Sequence, residues 1–277
     1  MDAPEDPHVS TPATSLPRQL TESLLAVLLP ASCTLCTGEL TETLTGGICG
    51  SCWRALEPWT GAVCPRCGLP LATTLRLADS VCGECRLERP HFDYARSYGI
   101  YAGKLRRAVL ELKFHRRERL GVRLGRLLEE PWQALQAALS LPESWLIIPV
   151  PLHRSRERER GYNQAELLAR GLERALRKRS QSEGFRLDGR SLARKRSTSP
   201  QSGLSVQARR ENVRSVFTVT APGRLRDRDV ILVDDVMTTG ATASACAAEL
   251  KRAGVRRVVV LALARATPQF PDIAARQ

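Results

Sequence analysis

No stretch of this sequence is long and apolar enough to cross a lipid bilayer, for which a helix needs about 20 apolar residues in a row. The apolar run at residues 23–30 is too short, has Glu22 beside it and ends in a proline. It therefore fits neither a membrane helix nor a cleaved export signal. We expect a soluble, cytoplasmic protein with no membrane partner.

Histidine and lysine are also scarce. The four histidines include no visible acid–base pair, so His153 is interpreted as a loop residue. Only five of the 42 basic residues are lysine, and the others are arginine, which suits bidentate contacts with phosphate. The formal net charge of +13 favours an anionic substrate or partner. A GC-rich genome would produce the same arginine bias without any function, and that explanation stays open.

Aromatic residues make up only 5% of the 277-residue chain. The segment at residues 31–90 is too short and too poor in them to fold without a cross-link such as a bound metal ion. This segment holds eight of the nine cysteines as four Cys-x-x-Cys pairs. Two such pairs can close a site of four thiolates around one tetrahedral metal ion. The pairs are Cys33/Cys36, Cys49/Cys52, Cys64/Cys67 and Cys82/Cys85.

The spacing of these pairs favours zinc over its rivals. Twelve residues separate the first two pairs and 14 the last two, which is close to the spacing of zinc ribbons. Disulfides are disfavoured because there is no export signal. An iron–sulfur cluster or redox dithiols stay open as alternatives that nothing in the sequence favours, whereas the four regular pairs favour zinc. We predict two structural zinc ions. Sequence does not specify which pairs share a metal.

A second concentration of chemistry lies at residues 230–242. Four apolar residues run into Asp234 and Asp235, and a short loop of small and hydroxyl-bearing residues follows. A helix is predicted over 243–253 and a buried strand over 255–264. The pattern is that of a parallel βαβ unit with a site at the carboxyl end of its first strand.

The residue types of this stretch suit a phosphorylated sugar. Backbone amides at a helix start favour phosphate, and Gly240 allows the chain to approach it closely. Asp234 and Asp235 suit sugar hydroxyls or a divalent cation, so the stretch describes a site for ribose 5-phosphate. We expect the pair at an open crevice, where neutralising it would hardly change the melting temperature. The predicted phosphate loop consists of Thr238, Thr239, Gly240, Ala241 and Thr242.

Two other segments are predicted to join this site. A buried strand at 145–152 enters a charged loop at 153–160, in which Arg154 and Arg160 are candidates to hold pyrophosphate. The next helix, over 163–179, opens a second potential anion site. Residues 190–217 are predicted to form a mobile basic flap that excludes water from a reacting sugar. Its candidate contacts are Gln201 and Arg209.

Between these regions the sequence predicts further elements. A strand is predicted over 91–101, and an amphipathic helix over 104–114. A second helical pattern covers 120–139 and is interrupted at Pro131. The basic cluster at 113–117 fits either a polyanion contact or a solvated helix end.

The stretch at 233–242 resembles the signature of type I phosphoribosyltransferases that binds 5-phosphoribosyl-1-pyrophosphate (PRPP). The resemblance implies that Asp234 and Asp235 hold the ribose hydroxyls and that Thr238–Thr242 cradle the 5-phosphate. It also implies that Mg²⁺ is held by the pyrophosphate and hydroxyls of the substrate rather than by a protein cage.

Further motifs narrow the resemblance to one family. They are LKF at 112–114, PVPL at 149–152, RGYNQ at 160–164 and a spaced R…T…Q…L…R…N over 194–212. In this order, behind the cysteine pairs and before 233–242, they resemble the ComF family. Tyr162, where phenylalanine is expected, is a mild departure that keeps the ring.

This resemblance implies an α/β protein of the type I phosphoribosyltransferase fold, with a central parallel sheet preceded by a cysteine-rich double zinc ribbon. The expected division is a tail and short helix at 1–30, the ribbon at 31–90 and the phosphoribosyltransferase-like domain at 91–277. Members are associated with natural competence, so PRPP, single-stranded DNA and a competence helicase are the implied partners.

Two hypotheses remain from different classes. In one, the protein is a phosphoribosyltransferase in which Asp234 and Asp235 are the catalytic pair. In the other, it is a non-catalytic adaptor that binds PRPP or single-stranded DNA. Motifs do not specify an acceptor for phosphoribose.

Overall fold

The computed structural model describes residues 32–40, 47–71, 81–180, 184–195 and 216–267. The tail expected at 1–30 and most of the predicted flap, including Gln201 and Arg209, lie outside the described residues. Among the described helices, none combines the length and apolar character that crossing a membrane requires.

A five-stranded parallel sheet forms the centre of the molecule, with strand order β1-β7-β6-β2-β3. A separate antiparallel pair, β4–β5, lies outside it. The strands are β1 (Tyr94–Ile100), β2 (Trp145–Pro149), β3 (Phe185–Leu187), β4 (Leu192–Arg194), β5 (Phe217–Val219), β6 (Asp229–Met237) and β7 (Arg257–Arg265). The predicted fold class, an α/β protein with a central parallel sheet behind a cysteine-rich region, is confirmed.

Helices cover both faces of this sheet, as a fully buried parallel sheet requires. The helices are α1 (Gly50–Arg54), α2 (Gly83–Leu87), α3 (Gly103–Phe114), α4 (Glu118–Gly125), α5 (Glu129–Leu139), α6 (Arg154–Arg160), α7 (Gln164–Ser180) and α8 (Ala241–Arg252). Two short 3₁₀ helices span Arg126–Leu128 and Pro222–Arg224.

The helical pattern at 120–139 is interrupted, but not at Pro131 as predicted. The break is the 3₁₀ turn Arg126–Leu128, and Pro131 lies in the first turn of α5. Proline is tolerated there because the first amides of a helix have no intrahelical partner. Gly125 also marks the break, because a Cβ at this position would lie 2.1 Å from the carbonyl oxygen of Leu168 in α7.

The charged segment predicted as a loop at 153–160 is instead the short helix α6. His153 caps it, since its Nδ1 accepts the Ser155 N–H at 3.2 Å. Gly161 ends it with φ +86°, a left-handed conformation that glycine adopts without strain. No residue of α6 is buried. Three of its arginines, Arg154, Arg156 and Arg158, are exposed, and Arg160 is half-buried.

Strand β6 is buried over its first five residues. Residues 230–233 are fully buried and alternate between the two faces. Val230 and Leu232 pack with α8 in one hydrophobic cluster, whereas Ile231 and Val233 pack with α3, α4 and α7 in the other. The four apolar residues that predicted a buried strand therefore join both halves of the core.

The cysteine-rich segment packs directly on the sheet. Cys33 and Cys52 belong to one of the two core clusters, and Cys64 and Cys67 belong to the other. The Ala95 N–H of β1 donates to the carbonyl oxygen of Arg66 at 2.7 Å. The Tyr98 hydroxyl donates to the Leu56 carbonyl at 2.5 Å, and Arg107 Nη1 to the Leu35 carbonyl at 2.9 Å.

Gly68 allows the backbone of the cysteine-rich segment to lie close against β1. Replacing it tests how tightly the segment packs on the sheet. The φ of Gly68 is +66°, and a Cβ would lie 2.5 Å from the carbonyl oxygen of Ala95. Backbone strain and the clash together predict that Gly68→Ala lowers the free energy of unfolding by about 2–4 kcal/mol. Denaturation in urea measures it.

Gly223→Ala is the matched control, because a Cβ there meets nothing within 4 Å. We expect it to change stability by less than about 0.5 kcal/mol. Equal effects of the two substitutions would contradict the tight docking at Gly68.

Candidate functional site

The eight paired cysteines form two separate groups, each with four Sγ atoms within 4.8 Å of one another. The groups are Cys33, Cys36, Cys49 and Cys52, and Cys64, Cys67, Cys82 and Cys85. In each group, two Cys-x-x-Cys pairs that are consecutive in the sequence therefore face a common centre. The sequence alone did not specify which pairs share a metal. Zinc with Zn–S bonds of about 2.3 Å places its sulfurs roughly 3.8 Å apart.

The geometry of both groups fits zinc. The Sγ atoms of Cys36 and Cys49 are 3.7 Å apart, and those of Cys67 and Cys82 are 3.6 Å apart. The Cys49 N–H donates to Cys33 Sγ at 3.3 Å, an interaction that stabilises a thiolate. Because all four donors are sulfur in each group, both are consistent with closed, structural zinc sites.

The acidic pair lies inside β6, two residues before the end of the strand at Met237, rather than at the start of the loop. Successive residues of a strand face opposite sides, so Asp234 and Asp235 straddle the sheet. Asp235 lies towards α3, and its Oδ2 is 3.1 Å from Lys113 Nζ. Asp234 lies on the side of α8. Burial raises the pKa of the Cys246 thiol on that helix, and the nearby charge of Asp234 adds to the shift.

The environment of Asp234 differs from the open crevice expected from sequence. Both carboxylates are half-buried. Desolvation raises the pKa of Asp234 from 3.8 to about 7, and the charge of Asp235 adds to the shift. The Asp235 N–H, which donates to Asp234 Oδ1 at 2.8 Å, opposes the shift, as do Lys113 and Arg194. The pair is therefore held in a partly dry position where its charge is destabilising.

Lys113 is a site residue that sequence reasoning missed. It was assigned with residues 113–117 to a polyanion contact or a solvated helix end. In the structure its side chain is only 20% exposed and reaches Asp235. Leu112 beside it is fully buried, which fixes the end of α3 against the core. Lys113 is part of the LKF motif, which the sequence analysis had noted. Its ion-pair partner Asp235 could not be recognised from the motif because it lies 122 residues further along the chain.

The loop after β6 is short and tightly turned. Thr238 and Thr239 are exposed, and α8 begins at Ala241 after Gly240, whose φ is +79°. A Cβ on Gly240 would lie 2.7 Å from Met237 Cε, so both conformation and space require glycine. The Ala241 N–H donates to Thr239 Oγ1 at 3.3 Å, which orders the turn at the amino end of α8.

The predicted arginines take different positions. Arg154 is exposed at the start of α6, and the Arg160 guanidinium lies 5.5 Å from the ring centre of Phe114. Burial lowers the pKa of Arg194, with repulsion from Arg156 adding to the shift and Asp234 opposing it. Arg194, which was not among the predicted candidates, therefore lies within electrostatic reach of Asp234, and Arg156 lies within electrostatic reach of Arg194.

The helix start predicted as a second anion site is capped by its own chain. Asn163 Oδ1 accepts the Ala165 N–H at 3.1 Å, and its Nδ2 donates to the Val150 carbonyl at 3.0 Å. The Tyr162 hydroxyl donates to the Leu112 carbonyl. This motif therefore joins α7 to β2 and to α3, whose next residue is Lys113.

A cleft of about 220 Å³ lies elsewhere, between the cysteine-rich segment and the outer edge of β1. Trp59, Tyr98 and Arg96 line it together with Glu130 and Arg265. The acidic pair is not part of its lining.

Comparison with known proteins places these features in a family context. Residues 24–86 match the model of the double zinc ribbon domain. The chain is 36% identical over 239 residues to the DNA utilization protein YhgH of Escherichia coli O6:H1, covering 86% of this chain and 98% of that protein. It is 32% identical over 240 residues to competence protein F of Haemophilus influenzae, covering 84% of this chain and 96% of that protein.

Among solved structures, the chain is similar to the glutamine PRPP amidotransferase of B. subtilis complexed with ADP and GMP. That similarity has a TM-score of 0.32 and 20% identity, and it covers 51% of this chain and 25% of the other.

The raised pKa of Asp234 predicts a stability effect with a defined sign. The folded state binds this proton more tightly than the unfolded state, so stability falls as pH rises between the unfolded value of 3.8 and the folded value of about 7. Asp234→Asn removes the charge. It should therefore raise the free energy of unfolding by about 1–3 kcal/mol at pH 8 and by less at pH 5.

Asp235→Asn is the matched control. It relieves the same repulsion but loses the ion pair with Lys113, so its net effect should be smaller. Denaturant melts of both variants at the two pH values measure the difference. An Asp234→Asn protein that is less stable than the parent at pH 8, or equally shifted at both pH values, would contradict the desolvated carboxylate.

Proposed function

This chain belongs to the ComF family, and we propose that the carboxyl end of β6 binds PRPP together with Mg²⁺. The observation that supports this most is the order of groups along one short path. Two carboxylates near the end of β6 are followed, within five residues, by the glycine turn and the amino end of α8. A carboxylate pair suits a diol, and a helix amino end suits a phosphate.

In this proposal Asp234 and Asp235 accept hydrogen bonds from the ribose hydroxyls. The 5-phosphate lies on Thr238–Thr242, where the first amides of α8 have no intrahelical partner. Mg²⁺ enters with the pyrophosphate and the ribose hydroxyls of the ligand, since it needs oxygen ligands and keeps few from the protein.

PRPP is anionic, so a pair of carboxylates alone would repel it. Lys113 supplies positive charge beside the pair. Its ammonium neutralises Asp235 in the unliganded protein. Pyrophosphate is a second anionic group for the same flexible side chain. Arg194 lies within electrostatic reach of Asp234, and Arg156 lies within reach of Arg194. We assign these three cations, with Arg154 and Arg160 as the further candidates, to the pyrophosphate side of the site.

The reaction that this arrangement suits is phosphoribosyl transfer. The bond from the anomeric carbon to pyrophosphate breaks, and a nitrogen of the acceptor forms the new bond and loses its proton. The sugar passes through a cationic transition state. Nearby carboxylates stabilise that charge, and cations stabilise the departing pyrophosphate. Asp234 and Asp235 are the proposed catalytic pair.

A second candidate function is binding of single-stranded DNA, which the names of the relatives favour. The observation on this chain is an exposed aromatic ring beside arginines. Phe114 is 63% exposed, Arg160 stacks near its ring, and α6 carries four arginines in seven residues with none buried. Exposed rings stack on bases, and arginines contact phosphates.

Titration calorimetry with Mg-PRPP tests the first proposal. Asp234→Asn and Asp235→Asn should each weaken binding about ten- to a hundredfold, because charge-assisted hydrogen bonds are worth about 1.5–3 kcal/mol. The double variant should show no measurable binding. Lys113→Met should cost about tenfold.

Asp93→Asn is the matched control for this series. Asp93 also pairs with a lysine, with Lys251 Nζ 2.8 Å from its Oδ2, but it lies at the amino end of β1. Its loss should leave affinity for Mg-PRPP within about twofold. Undiminished affinity in the double variant, or no affinity in the parent, rules the proposal out.

Fluorescence anisotropy with a labelled oligothymidine tests the second candidate. Affinity should fall steeply with salt through counterion release. Phe114→Ala should weaken binding about fivefold or more by removing a stacking surface, whereas Leu139→Ala, an exposed apolar residue at the end of α5, should have no effect. No binding at low salt, or equal binding by the Phe114 variant, excludes this surface.

A further inference from the structure

The two cysteine groups differ in their contact with water. In the group of Cys33, Cys36, Cys49 and Cys52, one cysteine is exposed and another half-buried. In the group of Cys64, Cys67, Cys82 and Cys85, all four are buried, with exposed fractions of 0–7%. We call these groups the first and the second tetrad.

This difference creates an electrostatic problem for the second tetrad. Four thiolates around Zn²⁺ carry two negative charges in excess of the metal. In the first tetrad water can solvate that excess through exposed Cys36. Taking an uncompensated charge out of water is costly, so the second tetrad needs positive charge from the protein.

Two arginines from neighbouring strands lie against the second tetrad. Arg265, at the end of β7, is 2% exposed, and its Nη1 donates to the Cys67 carbonyl at 3.2 Å. Arg96, on β1, is half-buried, and its Nη1 donates to the Pro65 carbonyl at 3.0 Å and approaches the Cys64 carbonyl at 3.5 Å. Both guanidinium groups therefore contact the backbone turn between Cys64 and Cys67.

Among the residues that the structure describes, no carboxylate accounts for the burial of these two arginines. Within the described part of the chain, neither Arg96 nor Arg265 forms an ion pair with an acidic side chain. Arg265 Nε also has no hydrogen-bond partner there. A fully buried guanidinium without a carboxylate needs another negative group nearby, and the thiolates of the second tetrad are that group.

We infer that Arg96 and Arg265 are the charge partners of the second metal site, and that they hold its zinc more firmly than the first site holds its own. Two guanidinium charges match the two excess negative charges of a zinc tetrathiolate. The two arginines are positioning residues, because they act on the metal through its cysteine ligands. Contacts of this kind around a metal site are typically worth about ten- to a hundredfold in metal affinity.

Pulsed alkylation with mass spectrometry tests the inference on the full-length, zinc-loaded protein. The protein, at two zinc ions per chain, is exposed to a chelator and a maleimide, and the labelling rate of each cysteine peptide is followed. In the parent the first tetrad should be labelled faster than the second. Arg265→Met and Arg96→Met should each speed labelling of the second tetrad about tenfold or more, with the first tetrad unchanged.

Arg107→Met provides the matched control, because Arg107 Nη1 donates to the Leu35 carbonyl in the equivalent turn of the first tetrad. It should change labelling of the first tetrad by less than about threefold, since water compensates that site. Arg265→Lys keeps the charge and should stay nearer the parent rate than Arg265→Met does.

Two outcomes would overturn the inference. Parent-like labelling of the second tetrad in both methionine variants would show that the charges do not matter. Equal effects of Arg107→Met on the first tetrad and Arg265→Met on the second would show that only a hydrogen bond to the turn matters. If Arg265→Met does not fold, Arg96→Met and Arg265→Lys decide the question by the same readout.

Discussion

Parallel pairing of β6 with β7 on one side and β2 on the other is the constraint on which the proposed site depends. The pairing with β7 runs along the strand to Met237, opposite Arg265, and includes Asp234 opposite Ala262, whereas the pairing with β2 ends at Val233. The backbone on both sides of Asp235 is therefore held by β7. Half-buried carboxylates that repel each other would otherwise move apart into water. The apolar residues before Asp234 are buried on both faces and hold the strand in place against that tendency.

The same pairing connects the second tetrad with the loop after β6. Arg265 contacts the turn at Cys67 and pairs in register with Met237, and the Ala266 N–H donates to the Met237 carbonyl at 3.0 Å. Met237 in turn fills the space beside Gly240. The second tetrad and the loop after β6 are far apart in sequence and are thus joined through paired residues of two adjacent strands. The cysteine-rich segment supports the edge of the sheet directly.

Much of this architecture follows from local patterns in the sequence. The cysteine pairs predicted two tetrahedral groups because a Cys-x-x-Cys turn positions both sulfurs within a few residues. The run before Asp234 predicted a buried strand because all its residues are apolar. By contrast, Lys113 and Arg265 are both basic residues next to apolar ones, and local pattern cannot show which of them is buried. Their partners, Asp235 and Cys67, become visible only when the strands are paired.

The helix α6 shows a further limit of pattern reasoning. Its alternating Arg and Glu have no apolar periodicity, so nothing in the sequence distinguished a helix from a charged loop. What makes the helix is a cap at each end, by His153 and by Gly161.

The electrostatics of the acidic pair explain why this site is costly to maintain. Desolvation raises the pKa of Asp234 towards neutrality. Near physiological pH, the ionised form of this carboxylate is therefore destabilised by its surroundings. The protonated form accepts hydrogen bonds less well. Lys113, Arg194 and the Asp235 N–H reduce this penalty without removing it. A ligand that brings Mg²⁺ and hydroxyl donors to the pair favours its ionised form. In the proposed function, PRPP and Mg²⁺ would relieve this electrostatic destabilisation of β6. Part of the free energy of PRPP binding would then come from offsetting a cost in stability that the folded protein carries without its ligand.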